Sequence, residues 1–516
     1  MNTTSADQMK KGHPKGLYVL FATEMWERFN YYGMRAVLIL FMTKALLFDK
    51  VFASNLYGSY TGLIYLTPLL GGYIADRYWG NRRSIIAGGL VMAIGEFILF
   101  FCGSLYQSSP QLSSVLFYSG LGFMIAGNGF FKPNISSLVG QLYPKGDRRI
   151  DAAYTIFYMG INVGGALGPF VCGLVGDTDN PADFKWSFLA GGIGMILSVM
   201  VQKVFHHKYV KDPDNNILGL TPPNATKNSL NPILIIFGLI ILSLLMIALV
   251  YIDAKVFSYL SYLLLGSAIF IAYFIFSDKS LTKVDRQRIG VIFIVAFFVI
   301  FFWSAFEQAG ASLTFFAEEQ TQRDLGFFVV PASLFQSLNS IFIVTLAPLF
   351  AWLWLKLGKN EPASPTKMGW GLFLLALGYL WIAFGVKDVN PNIKVSMVWL
   401  SGMYFLHTCG ELCLSPIGLS LVNKLAPFKF ASLLMAVWFL GQAAANKLAG
   451  ILSALYPEKG KVTSFLGYEM HNLHEFFMLF VIMTGVAAAI LFLITNRLQK
   501  MMNVGKEEGT LTTVVA

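Results

Sequence analysis

The sequence predicts an all-α, polytopic membrane protein, and three observations carry that prediction. The chain has 516 residues, of which 56% are apolar and only 13% charged, about half the charged share of soluble domains. The apolar residues fall in long runs, each near the ~20 residues that a helix needs to cross a bilayer. The 38 lysines and arginines concentrate in alternate short connections between those runs, as expected when basic residues stay on the inner side.

This composition excludes a disordered chain, a disulfide-stapled secreted domain and an ordinary cytosolic enzyme. The net charge of +10 does not indicate nucleic acid. The basic residues sit in separate loops, not in a stripe with interleaved aromatics. Cys102, Cys172, Cys409 and Cys413 all fall in apolar runs and read as small buried residues; no metal or other cofactor is expected. The N-terminus is polar up to Lys15, and no small-residue cleavage site follows the first apolar run, so no cleavable signal peptide is expected.

Fourteen runs read as membrane helices, in order. The first, 17–43, follows the polar N-terminus. Runs 53–76 and 84–104 flank a charged turn, and 113–140, 150–174 and 185–202 complete a first set of six. The longest internal connection, 203–230, is rich in Lys, His, Asn and Pro and divides the chain. Two almost uncharged runs follow, 231–251 and 257–277. Six more complete the count: 289–317, 327–355, 368–386, 395–422, 430–455 and 473–496. The tail 501–516 is expected to be disordered. A weak repeat at a shift of 280 residues relates Pro68 and Asp76 to Pro348 and Lys356, and each pair is followed by a turn glycine, Gly80 and Gly358. Such repeats are expected in secondary transporters.

Charges at membrane depth are costly, at ~2.5–3.5 kcal/mol or more each. They are Glu24, Glu27, Arg28, Arg35, Glu96, Lys132, Glu307, Glu411 and Lys447. Glu24, Glu27 and Arg28 stand at i, i+3 and i+4 and so share one helical face, with Arg35 two turns further along. Two carboxylates beside one arginine cannot both be fully compensated, which makes one a candidate for proton uptake. The alternative is a fixed ion-pair cluster that locks the first helix to a neighbour. Lys447 and Glu96 are expected to snorkel or to form local pairs.

The segment Gly72-Tyr-Ile-Ala-Asp76-Arg77-Tyr-Trp-Gly80-Asn-Arg82-Arg83 resembles the signature loop between helices 2 and 3 of the major facilitator superfamily, whose members have two six-helix bundles. Glu24-Met-Trp-Glu27-Arg28-Phe29-Asn30-Tyr31-Tyr32-Gly33 matches the first-helix motif of its proton-dependent oligopeptide transporter family. Phe157 to Gly164, Gly127 to Asn134, Phe302-Trp303 through Glu307-Gln308, and Gly410 to Gly418 resemble four further motifs of that family, in the same order. The resemblance runs from residue 24 to about 450 and implies the bacterial type, with two helices inserted between the bundles. The implied domains are an N-terminal bundle, 1–203, a linker with the two extra helices, 204–288, and a C-terminal bundle with a short tail, 289–516.

The resemblance implies a proton-coupled symporter that imports di- and tripeptides by alternating access. Proton coupling would map to Glu24, Glu27 and Arg28, with Glu307 in proton handling or gating. Arg35 and Lys132 would grip the peptide carboxylate. Glu411, Asn162 and Asn339 would meet its amino end, and Tyr32, Tyr65, Trp303 and Trp438 would line the pocket. Residues that read only the two peptide ends tolerate many side chains. The expected partners are di- and tripeptides, protons and the lipid bilayer, with no nucleic acid. The chain is expected as a monomer in a bacterial inner membrane with both termini cytoplasmic. Alternatives are a same-fold carrier of amino acids or nitrate and a non-transporting membrane sensor. An intramembrane enzyme lacks support, since no histidine–carboxylate set or Ser/Lys dyad is evident.

Overall fold

The computed structural model describes residues 12–144, 147, 149–221, 232–256, 259–390, 393–458 and 461–503. The tail from residue 504 and the connection from 222 to 231 lie outside the described residues. In chain order the helices are α1 (Lys15–Leu40), α2 (Lys50–Ile64), α3 (Thr67–Ile74), α4 (Asn81–Leu105), α5 (Pro110–Gln141), α6 (Ile150–Gly176) and α7 (Phe184–Tyr209). They continue with α8 (Pro232–Val256), α9 (Tyr259–Phe276), α10 (Lys283–Phe306), α11 (Ser312–Glu319) and α12 (Ser337–Leu357). The last are α13 (Ser364–Gly385), α14 (Met397–Leu425), α15 (Ala431–Ser453) and α16 (Leu473–Asn503). This is an all-α membrane fold. Among the described residues, nine helical stretches are individually long and apolar enough to cross a bilayer. The first helix is not one of them, because four charges interrupt its apolar run.

The chain divides into two compact units. One comprises Met1–Phe48, Leu63–Ile252 and Pro331–Ile341, and the other Asp49–Gly62, Asp253–Val330 and Phe342–Ala516. Within the first unit α1 lies along α6 at backbone contact. A Cβ at Gly164 would stand 2.2 Å from the Met25 carbonyl, and one at Gly168 would stand 2.4 Å from that of Phe29. Helices meet through small residues in this way when lipid gives no hydrophobic drive to bring them together. Within the second unit α13 and α14 meet similarly, with the Gly410 carbonyl 2.9 Å from a Cβ placed on Gly371.

Three predicted runs are not continuous. The run 53–76 is two helices, α2 ending at Ile64 and α3 opening at Thr67. Pro68, in the first turn of α3, has no N–H with which to continue the hydrogen bonding of α2. The run 289–317 breaks at a 3-10 turn, Glu307–Gly310. There the Tyr57 hydroxyl occupies the space of a side chain on Gly310, only 1.7 Å from an ideal Cβ. Gln308 spans the break: its amide donates to the carbonyls of Ser304 at 3.1 Å and Ala449 at 2.9 Å, and its oxygen accepts the Ser312 hydroxyl at 2.5 Å. The run 327–355 turns helical only after Pro331, through a 3-10 turn at Ala332–Gln336.

The charged turn behaves as the sequence indicates. A π-helical turn, Ala75–Trp79, ends at Gly80 with φ 79°, and α4 restarts at Asn81. Its counterpart in the weak repeat, Gly358, also has positive φ, 48°. Two short strand pairs lie in the second unit. Thr321–Gln322 pairs in parallel with Val395–Ser396, and Thr463–Phe465 forms a hairpin with Tyr468–Met470.

Candidate functional site

The charges of α1 are buried together in the first unit. Glu27 is 0% exposed, Glu24 2% and Arg28 4%. One guanidinium nitrogen serves both carboxylates: Arg28 Nε lies 2.7 Å from Glu24 Oε1 and 2.9 Å from Glu27 Oε2. The i, i+3, i+4 spacing on a helix is what permits this fork. Glu27 also accepts the Asn128 amide on α5 at 3.3 Å, and the Lys132 charge acts on it as well. Two carboxylates share one arginine in a buried place, so a proton taken up there would relieve their mutual repulsion.

The basic pair implied for carboxylate recognition lies in the same unit. Arg35 is buried, with its guanidinium 5.3 Å from the Tyr32 ring centre and 6.0 Å from that of Tyr31. Lys132 is half-buried, its ammonium 4.5 Å from the Tyr65 ring centre. Tyr65 reaches this position from the break between α2 and α3. Aromatic faces contribute cation–π attraction to both cations. Asn162 on α6 is buried, and its amide donates to the Tyr158 carbonyl one turn back. Asn339 is half-buried on the first turn of α12, a segment that joins this unit through the Ser337 hydroxyl, which donates to the Ala166 carbonyl at 2.8 Å.

The remaining predicted residues belong to the second unit. Glu307 opens the 3-10 turn that breaks the α10 run and is 4% exposed. The Trp303 and Phe306 rings pack edge to face at 5.2 Å. Glu411 on α14 is 8% exposed and Trp438 on α15 is 6% exposed. Tyr379 on α13 donates its hydroxyl to the Ala305 carbonyl at 2.6 Å, near the end of α10. His407, one turn before Glu411, packs against the Tyr379 ring at 4.8 Å.

The structure therefore gathers Glu24, Glu27, Arg28, Arg35, Tyr32, Tyr65, Lys132, Asn162 and Asn339 in one unit. It gathers Trp303, Glu307, Glu411 and Trp438 in the other. Sequence reasoning missed three partners. Asn128 lies within the motif Gly127 to Asn134, but the resemblance gives it no role. Asn30 donates its amide to Glu96 at 2.8 Å. Asp253 pairs with Lys447 at 2.5 Å. Its signal was its place just past the end of an uncharged run. Glu96 and Lys447 are 0% and 1% exposed, so neither snorkels.

Comparison with known proteins places this geometry. The sequence model of the POT family matches residues 82–466. The chain is 35% identical, over 86% of its length and 88% of the relative's, to an uncharacterized transporter, YclF, of Bacillus subtilis. It is 33% identical to the peptide transporter YePEPT of Yersinia enterocolitica, over 95% of this chain and 96% of that one. It is 31% identical to a di-/tripeptide transporter of Lactococcus lactis, over 90% and 94% of the two chains. Among solved structures, a peptide transporter POT in complex with sulfate aligns with TM-score 0.78 at 31% identity, covering 97% of this chain and 100% of that one. A POT family transporter in complex with 5-aminolevulinic acid aligns with TM-score 0.77 at 31% identity, covering 95% and 97%. Paired buried carboxylates, a basic pair on aromatic faces and this likeness along almost the whole chain lead to one conclusion: the protein is a membrane transporter of the POT family.

Proposed function

We propose that the protein imports di- and tripeptides together with protons across a bacterial inner membrane, with both termini cytoplasmic, as a monomer. The observation that carries this reading is the fork of Glu24 and Glu27 on the single nitrogen of Arg28. A structural ion pair needs one carboxylate per arginine. A second one leaves a negative charge that a proton can cancel, and such a group inside a membrane protein marks a proton pathway.

In the proposed cycle the peptide carboxylate binds Arg35 and Lys132, which stand beside the Tyr32 and Tyr65 rings. The peptide ammonium binds Glu411, with Asn162 and Asn339 donating or accepting at the amino end. Tyr32, Tyr65, Trp303 and Trp438 give adaptable apolar walls. A proton reaching Glu27 weakens its hold on Arg28, and Glu307, at the helix break, takes part in proton handling or gating. Rocking of the bundles 1–203 and 289–516 then opens the site to the other side. One charge moved through 100 mV supplies about 2.3 kcal/mol, enough for appreciable accumulation. No cofactor is required.

The peptide transporters named among the relatives support the substrate class. A second reading, a small amino-acid-like zwitterion, is favoured by the solved relative holding 5-aminolevulinic acid. Both readings need a basic and an acidic pole. The test is Glu27→Gln in liposomes. Exchange of internal for external dipeptide should persist, and gradient-driven concentration should be lost. Strong accumulation by that variant would remove Glu27 from the proton path.

A further inference from the structure

The inserted helices α8 and α9 contain one buried ionic contact that the proposed cycle does not use. Asp253, near the end of α8, is 1% exposed and is the residue at which the chain passes from the first unit to the second. Both of its oxygens are engaged. Oδ1 accepts the Leu260 backbone N–H in the first turn of α9 at 2.8 Å. Oδ2 accepts the Lys447 ammonium of α15 at 2.5 Å and also the Ser59 hydroxyl of α2. Lys447 in turn donates to Ser59 Oγ at 2.8 Å. One carboxylate thus ties together α2, α9 and α15.

The seam around it is tight. A Cβ at Gly58 would stand 2.7 Å from the Gly450 Cα, and one at Gly62 would stand 3.1 Å from the Ala443 carbonyl and 3.6 Å from a Leu260 methyl. The hydroxyls of Ser54 and Ser453 lie 3.1 Å apart. The rest of α8 packs within the first unit. Leu239 joins Trp79 and Phe130, and Tyr251 meets Tyr118 edge to face at 5.3 Å. Outward, the two helices show apolar side chains such as Phe237, Leu244, Tyr262 and Phe270.

Apolar side chains of similar volume would hold this seam at least as well as a buried ion pair, which has to repay two desolvations. What a fully satisfied pair adds is registry, since the contact is either complete or strands a charge. We propose that the inserted pair is a conformational pin: Asp253 fixes α2 against α15 in one register, and releasing it shifts the balance among transport states. The consequence for uptake rests on the transport reading; the shift itself does not.

The test uses the full chain in liposomes, with nitroxide labels on Leu47→Cys and Leu466→Cys. Both positions are on exposed turns, one in each unit, and the four native cysteines are buried. Label separations are recorded without substrate. Asp253→Asn removes one charge. The double variant Asp253→Leu with Lys447→Met removes both charges and strands neither, so it decides the matter where the single variant fails to fold. Ser59→Ala removes only the bridging hydroxyl. The pin predicts that the populations of short and long separations change by about tenfold in the double variant, and in the same direction but less in Ser59→Ala. A folded double variant with the wild-type distribution overturns the proposal. A shifted distribution in a protein that carries no dipeptide supports the pin and removes the cargo reading instead.

Discussion

Arg28 is the residue on which the site turns, because removing it would leave two buried carboxylates uncompensated, a loss of about 3–5 kcal/mol. Its pairing with Glu24 and Glu27 was legible in the sequence, since it is local to one helix. Asn30 with Glu96 and Lys447 with Asp253 were not legible, because their separations of 66 and 194 residues are set by tertiary packing alone. Outside the membrane, Asp147 shows how a single residue responds to pH. Its carboxylate accepts the Arg149 side chain at 2.7 Å and the Arg149 backbone N–H at 2.9 Å, and these bonds hold it below the usual carboxylate range. Because the folded value lies below the unfolded one, the tie is at full strength above the ordinary value near 4 and fades as pH falls through the folded value. Amide exchange at the start of α6, corrected for intrinsic rates, should therefore rise in acid. Asp147→Asn should show raised exchange already at neutral pH and no further acid step. An identical acid step in the variant would assign it to another group.

At the scale of elements, the apolar runs located the helices but not their interruptions. The breaks at Tyr65–Leu66 and at Glu307–Gly310 fall inside runs that each read as a single helix. The first has a local signal in Pro68. At the second, the Tyr57 hydroxyl, distant in the chain, fills the space that a side chain on Gly310 would take. Glu307 was chosen from a motif, and the structure adds that it stands where helical hydrogen bonding lapses. Close packing gives the sharpest test here. Gly164→Ala places a Cβ 2.2 Å from a backbone carbonyl of α1, which cannot yield as a side-chain end can. It should lower stability in detergent by about 1–3 kcal/mol. Gly238→Ala, with nothing within 4 Å of the added Cβ, should not lower it. Equal effects at both positions would contradict the account of α1 and α6.

For the whole molecule, composition alone indicated a polytopic membrane chain, and the motifs along it indicated the POT family, which the comparisons show. The partition into compact units was less accessible. Residues 49–62 group with later helices and 331–341 with earlier ones, because contacts at helix ends do not follow chain order. In the proposed cycle, peptide transport requires the two charged poles, Arg35 with Lys132 and Glu411, to act on one zwitterion, and proton drive requires the α1 cluster. Uptake of labelled dialanine into liposomes, with and without an inward proton gradient and negative internal potential, tests both requirements together. The expected result is gradient-dependent accumulation that di- and tripeptides suppress and free alanine does not. Uptake that ignores the gradient, or that free alanine or nitrate suppresses as well as dipeptide does, would contradict it.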